Sequence, residues 1–295
     1  RFSYLLDKIR DAEFSLEPFE HIAISNFFND DDLAELLELD QIKLRQCEDV
    51  GQLIHELHDQ KFEPIVFPGS ITSEEKYIEF AEKGNFNRRL IQGYGRKVIE
   101  GYGITYRLTE YRSNFLSDLM ALFEGEDLNS LVRGRFNIEL PTSYEGGVQK
   151  NLRGYEISPH PDTSRKALTW MVNIYTDEDD VSEKEMHTHL CKFKDKYSYV
   201  YKVWENSDVD PVWVPWSWAD TIKKTNLNNS IIIFKPNHKT LHAVRVSEDH
   251  LVHQRNQIYG NLWYDKSQKA GGLPWEKLDL FRKESVLEKI LRRLS

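Results

Sequence analysis

Four side chains in the second half of the chain have the types and the spacing to hold a metal ion and an acidic ligand. The segment Gly154–Tyr175 contains His160-Pro-Asp162. In an extended backbone, side chains at i and i+2 leave the same face, so an imidazole and a carboxylate two residues apart can grip one ion from the lip of a strand. A third ligand comes from further along. Ser230-Ile-Ile-Ile-Phe234 reads as a short apolar strand, Lys235–Lys239 as a turn, and Leu241–Val246 as a second strand with His242 near its start. Arg255 then opens the stretch Arg255–Tyr264 on a following strand. Two imidazoles and one carboxylate on one face of an octahedral iron(II) leave three positions open, which suits a bidentate 2-oxo acid together with oxygen. The guanidinium fork of Arg255 matches the far carboxylate of such an acid.

These strands must be carried by the rest of the chain. Residues 1–17 form an amphipathic lead-in that predicts a helix, and Phe19–Phe28 reads as a strand. Asn29-Asp-Asp-Asp32 is the acidic start of a helix bearing Leu33, Leu36, Leu37 and Leu39, a cap rather than a metal site. Between 46 and 110 the signals are irregular. Glu74–Lys83 and Arg88–Glu100 predict helices, with Gly93, Gly95, Gly101 and Gly103 interrupting or ending the second. These glycines lack both the preceding strand and the Lys-Ser/Thr pair of a phosphate loop. Tyr111–Leu131 has a helical apolar period, with Phe115, Leu119, Leu122 and Phe123 on one face expected to pack on the outside of a sheet. Arg135–Leu140 alternates and predicts a strand whose Arg135, Asn137 and Glu139 either line a pocket or meet solvent. Pro274–Ser295 predicts a basic amphipathic helix, packed on the N-terminal helices or forming a homodimer contact. No repeat, low-complexity stretch or long linker divides the chain. The expected organisation is therefore one domain over 1–295: mostly helical support with one early strand over 1–130, a β core over 131–265 with an insert at 177–224, and a C-terminal helix over 274–295.

The order His-x-Asp, distant His, then Arg resembles the iron(II)/2-oxoglutarate-dependent dioxygenases of the prolyl-hydroxylase-like and phytanoyl-hydroxylase-like kind. Pro18–Phe28 followed by Asp30-Asp-Asp-Leu33 resembles the start of many such domains. The likeness spans Pro18 to Tyr264. It implies a mainly β fold with flanking helices, built on a double-stranded β-helix or jelly roll, with Fe(II) held by His160, Asp162 and His242. Arg255 would bind the co-substrate 2-oxoglutarate, and O2 would be consumed. The implied reaction hydroxylates an unactivated C–H bond and releases succinate and CO2. Relatives that halogenate have a small residue where Asp162 stands, so hydroxylation is expected here ahead of halogenation, with desaturation or ring formation within the same chemistry. Many relatives carry Ser or Thr where this chain has Gln257, which leaves the part played by that position open. The insert at 177–224 falls where the family commonly carries specificity-bearing elements.

A competing ligand set is His187-Thr-His189-Leu-Cys191, three same-face side chains that a cupin-type metal enzyme would use. A non-catalytic jelly-roll binding module is the other alternative. Tyr197, Tyr199 and Tyr201 alternate as in a strand, and Trp213, Trp216 and Trp218 read as packing or as a substrate wall. Arg133, Arg135, Lys150, Arg153, Arg165 and Lys166 flank the ligand segment and favour a small polar or anionic substrate over a macromolecule. A net charge of −9 supplies no basic footprint for nucleic acid or an anionic membrane. The absence of a long apolar run and the two distant cysteines, Cys47 and Cys191, lead to the expectation of a soluble cytoplasmic protein.

Overall fold

The computed structural model describes residues 1–43, 45–65, 73–82, 103–176, 181–206, 211 and 213–266. Among the described residues the first half supplies six helices and four short strands: α1 (Ser3–Asp11), β1 (Phe14–Ser15), β2 (His21–Ser25), α2 (Asp30–Glu38), α3 (Val50–Asp59), β3 (Phe62–Pro64), α4 (Glu74–Glu82), β4 (Thr105–Leu108), α5 (Asn114–Glu124) and α6 (Glu126–Arg135). Among the described residues eight strands follow, with one α-helix between them: β5 (Thr142–Asn151), β6 (Glu156–His160), β7 (Lys166–Ile174), β8 (Thr188–Phe193), α7 (Tyr199–Glu205), β9 (Ala219–Lys224), β10 (Ser230–Phe234), β11 (His242–Arg245) and β12 (Arg255–Tyr264).

Those eight strands pair as nested antiparallel partners: β5 with β12, β6 with β11, β7 with β10, and β8 with β9. A ribbon so paired, coiled so that β7 also meets β12 and β8 meets β11, is a double-stranded β-helix, the jelly-roll arrangement. The turns of the coil fall into two sheets, ordered β1-β2-β10-β7-β12-β5-β4-β3 and β6-β11-β8-β9. The fold is therefore mainly β with flanking helices.

Period-two alternation explains how the larger sheet serves both core and site. Val148, Leu168, Trp170, Val172, Ile174, Ile231, Ile233, Ile258 and Leu262 share one apolar cluster with helix residues such as Leu5, Ile9, Leu53, Leu116, Leu119 and Phe123. The intervening positions Asn151, Thr169, Asn173, Arg255, Gln257 and Asn261 are buried and polar. They sit on the opposite face of the pleat, toward the smaller sheet.

Several local expectations change. Arg135–Leu140 is not a strand: Arg135 ends α6, and Asn137 turns with φ 52° at the helix terminus. The Arg135 guanidinium donates instead to the carbonyls of Arg10 and Ala12 and covers the Phe14 ring. The single helical period over Tyr111–Leu131 is two helices meeting at Gly125, where a Cβ would come within 2.9 Å of the Ala121 carbonyl oxygen. Tyr197, Tyr199 and Tyr201 lie on a 3₁₀ turn and α7, not on a strand. The irregular stretch before 110 contains α3, β3 and β4. Residues 177–224 are not wholly an insert, since β8 and β9 are strands of the smaller sheet. The expected acidic cap holds, with the Asn29 side chain accepting from the Asp32 amide. The helices expected over Arg88–Glu100 and Pro274–Ser295, and the dimer contact assigned to the latter, lie outside the described residues. Among the described residues no helix is long and apolar enough to cross a membrane.

Candidate metal and co-substrate site

His160 ends β6 and His242 begins β11, and the antiparallel register makes them direct partners. Their rings stand side by side, with centroids 4.3 Å apart. Asp162 follows two residues after β6, in a turn closed by the Lys166 amide donating to the Thr163 carbonyl. One ligand atom from each of the three side chains lies within 4.8 Å of the others, and no other such His/Cys/Asp/Glu group occurs among the described residues. The Nδ1 of His160 meets the Ser158 carbonyl at 2.9 Å and that of His242 meets the Thr240 carbonyl at 3.3 Å. A carbonyl can only accept, so each Nδ1 carries the proton and each Nε2 keeps its lone pair, the orientation a metal-binding imidazole needs. His242 Nε2 is 3.9 Å from Asp162 Oδ2.

The protonation states also suit a cation. Burial, and after it the neighbouring His242 imidazole, hold the His160 imidazole down to about 3 against the pull of Asp162, and burial lowers His242 as well. Burial by itself would raise the Asp162 carboxyl, yet the Lys166 ammonium and the two imidazoles bring it below the usual carboxylate range. At neutral pH the set is two neutral imidazoles and one carboxylate, a donor set that suits a divalent cation. Asp162 is itself held on both oxygens: Lys166 Nζ donates to Oδ1 at 2.8 Å and Thr169 Oγ1 to Oδ2 at 2.7 Å. Lys166 is fixed in turn by Tyr259 Oη at 2.9 Å, and Tyr259 donates to Asn261 Oδ1.

Arg255, at the start of β12, is 2 % exposed. Its Nη1 donates to Asn151 Oδ1 and its Nη2 to Thr188 Oγ1 at 2.9 Å, while its buried Nε–H has no acceptor among the described residues. No ion pair joins it to a carboxylate among the described residues. Burial lowers its pKa, but a guanidinium remains charged. Tyr175 and Tyr155 are close enough to act on it electrostatically. Tyr175 is oriented by a relay: His187 Nε2 donates to the Val181 carbonyl at 2.7 Å, so its Nδ1 accepts from the Tyr175 hydroxyl at 2.6 Å. The Gln257 amide donates to Asn173 Oδ1 at 2.9 Å and is committed to that cross-strand bond.

The other sequence candidates lie elsewhere. His187, His189 and Cys191 do not form a ligand group among the described residues. His189 Nε2 donates to Glu185 at 2.6 Å and its Nδ1 accepts from Thr221, while Cys191 packs with Phe193 and Trp204. The intervening Thr188 and Leu190 face inward, toward Arg255 and Phe234. Arg245, whose position three residues after His242 puts it on the opposite strand face, pairs with Glu156 at 3.1 Å and lies over the Trp216 ring, so it is occupied away from Arg255. Trp216 donates to Glu156, and Trp218 stacks on Tyr197 at 4.6 Å. Both rings are engaged in packing. Of the flanking cations, Lys166 reaches the ligand group, Arg133 pairs with Glu126, and Lys150 is buried on the helix side, bonded to the Ile42 carbonyl and Gln254. Sequence reasoning missed Asn151, Thr169, Thr188, Tyr155, Tyr175, Tyr259 and Asn261. The alternation Arg255, Gln257, Tyr259, Asn261 was the available signal, polar at every second position of a strand otherwise fit for a core.

No protein-family model and no curated protein sequence matches the chain. Among solved structures it is similar to a Pseudomonas putida prolyl-4-hydroxylase, with 9 % identity over 90 % of this chain and 100 % of that one, TM-score 0.44. It is also similar to a Trichoplax adhaerens prolyl hydroxylase in complex with a hypoxia inducible factor peptide fragment, with 13 % identity over 90 % of each chain, TM-score 0.41. A third is HygX from Streptomyces hygroscopicus with nickel, 2-oxoglutarate and hygromycin B bound, with 11 % identity over 83 % of each chain, TM-score 0.39.

Proposed function

We propose that the protein is an iron(II)- and 2-oxoglutarate-dependent oxygenase that hydroxylates an unactivated C–H bond of a small polar or anionic molecule. The observation that carries this reading is the buried Arg255 guanidinium, which lacks a protein carboxylate among the described residues and stands in the same β-helix as the His160, Asp162 and His242 group. A buried cation costs several kcal/mol unless an anion joins it, so the site is built to receive one. A dicarboxylic 2-oxo acid satisfies both ends, with its oxo acid end at the metal and its far carboxylate at Arg255.

Each residue then has a defined task. His160 and His242 present Nε2, Asp162 presents one carboxylate oxygen, and their hydrogen bonds to Ser158, Thr240, Lys166 and Thr169 hold those atoms in place. Asn151 and Thr188 each take one Nη hydrogen of Arg255, which would leave its Nε–H and a second hydrogen on each Nη for a ligand carboxylate. The His187 relay turns the Tyr175 hydroxyl toward Nδ1, so the phenol oxygen is an acceptor and not a donor to a carboxylate. When bound, iron(II) would supply oxygen activation coupled to decarboxylation of 2-oxoglutarate, giving succinate, CO2 and a hydroxylated product.

The test is decarboxylation itself. Protein supplied with Fe(II), O2 and 2-oxoglutarate labelled in its C1 carboxyl should release labelled CO2 and form equimolar succinate, slowly without substrate and faster with it. His242→Ala should release none. Equal release by wild type and His242→Ala would remove the assignment.

A further inference from the structure

Among the contacts that hold the ligand group, the part-buried Lys166 is the one that brings a charge to Asp162. Lys166 Nζ is bonded to Oδ1 of Asp162, the oxygen turned away from His242, and is anchored by Tyr259 Oη and packed over the rings of Tyr259 and Trp263. Oδ2, which lies 3.9 Å from His242 Nε2, instead receives the neutral Thr169 hydroxyl at 2.7 Å. Building on the metal-site reading above, we propose that Lys166 is a positioning residue that reserves Oδ1 and so confines Asp162 to one bond with the metal.

The count of coordination positions gives this a consequence. A carboxylate can bind a metal through one oxygen or both. Two imidazoles and a single carboxylate oxygen occupy three of six octahedral positions, and a chelating 2-oxo acid takes two more, leaving one. With both Asp162 oxygens bound, the same ligands fill all six. Lys166 would then be what keeps the last position free. The turn makes the contact local: Lys166 begins β7 four residues after Asp162, with its amide bonded to Thr163. Its head is set from another strand, because Tyr259 lies on β12 and is itself bonded to Asn261. Cross-strand anchoring of a side chain 93 residues away is more than a solvated lysine needs.

Nitric oxide, a neutral stand-in for oxygen, reads the sixth position without turnover. Wild type, Lys166→Met and Lys166→Arg, each loaded anaerobically with Fe(II) and 2-oxoglutarate, would be titrated with nitric oxide and followed by paramagnetic resonance. Lys166→Met should keep its iron and its 2-oxoglutarate complex but bind nitric oxide at least tenfold more weakly. Lys166→Arg, which retains a donor for Oδ1, should stay within about threefold of wild type. Because the probe is uncharged, loss of the lysine charge alone does not produce that pattern. Nitric oxide binding by Lys166→Met equal to wild type, or equal weakening in both variants, overturns the proposal. Loss of iron from Lys166→Met would assign Lys166 to holding the fold of the site and also overturns it. Failure of the wild type to form a 2-oxoglutarate complex would instead strike the underlying function, and is recognisable because it appears before any nitric oxide is added.

Discussion

Removing the guanidinium of Arg255 should separate co-substrate binding from metal binding. In the structure Arg255 is 2 % exposed, its two Nη groups are held by neutral oxygens of Asn151 and Thr188, and its Nε–H is unpaired among the described residues. If the far carboxylate of 2-oxoglutarate completes this arrangement, Arg255→Ala leaves a buried carboxylate without its cation, at a cost of about 3 to 5 kcal/mol. At about 1.4 kcal/mol per factor of ten, the dissociation constant of 2-oxoglutarate should rise by two orders of magnitude or more. Iron content should change little, because Arg255 contacts none of His160, Asp162 and His242. Anaerobic titration with 2-oxoglutarate measures the constant directly, and thermal unfolding supplies an independent reading. At a concentration of about 100 Kd the wild type should gain about 2.7 kcal/mol of stability from the ligand, while a variant weakened a hundredfold gains about 0.4. Arg245→Ala is the matched control, since that side chain is occupied by Glu156 and Trp216. A large shift in Arg245→Ala with none in Arg255→Ala would refute the placement of the clamp.

Three further outcomes are expected. His160→Ala, Asp162→Ala and His242→Ala should each lose bound iron and turnover while remaining folded, as measured by metal analysis and circular dichroism, because none of them opens a cavity in the apolar core. His187→Ala/His189→Ala should keep iron near the wild-type level but unfold more easily, since it breaks the buried bonds to Tyr175, Val181 and Glu185, each worth roughly 1 kcal/mol or more. Burial lowers the Lys150 ammonium to about 7, so between there and the unfolded value of 10.5 the unfolded chain holds a proton the folded chain lacks. Its contribution to stability therefore rises with pH across that window, by up to about 1.4 kcal/mol per pH unit. The stability difference between Lys150→Met and wild type, measured by denaturant titration, should favour the variant most near pH 6.5 and shrink toward pH 9.5.

How far the chain could be read in advance depended on how local each signal was. His160 and Asp162 share a lip because of period-two geometry, and Ser230–Phe234 was legible as a strand from its run of isoleucines. The partners of Arg255 were not legible. Asn151 and Thr188 are 104 and 67 residues away in sequence and are brought to it by cross-strand register and by the approach of the second sheet. β5 was hidden because its Gly146-Gly147 pair and its polar inward positions break the apolar alternation of a half-buried strand. The opposite error occurred at Arg135–Leu140, where alternating types belong to a helix end and the turn after it. His187 and His189 looked like ligands by type and spacing, yet each ring nitrogen finds a protein partner across the fold, which no local pattern records.

Whether His160, Asp162 and His242 hold iron(II) that 2-oxoglutarate then chelates can be read from an anaerobic difference spectrum. Apoprotein is titrated with Fe(II) and then with 2-oxoglutarate. A weak visible charge-transfer band should appear that requires both additions, saturates at one equivalent of iron, is absent in His242→Ala, and survives in His187→Ala/His189→Ala. A band that survives in His242→Ala, or that disappears only when His187 and His189 are replaced, would contradict it, as would a wild type that binds iron and develops no band with 2-oxoglutarate.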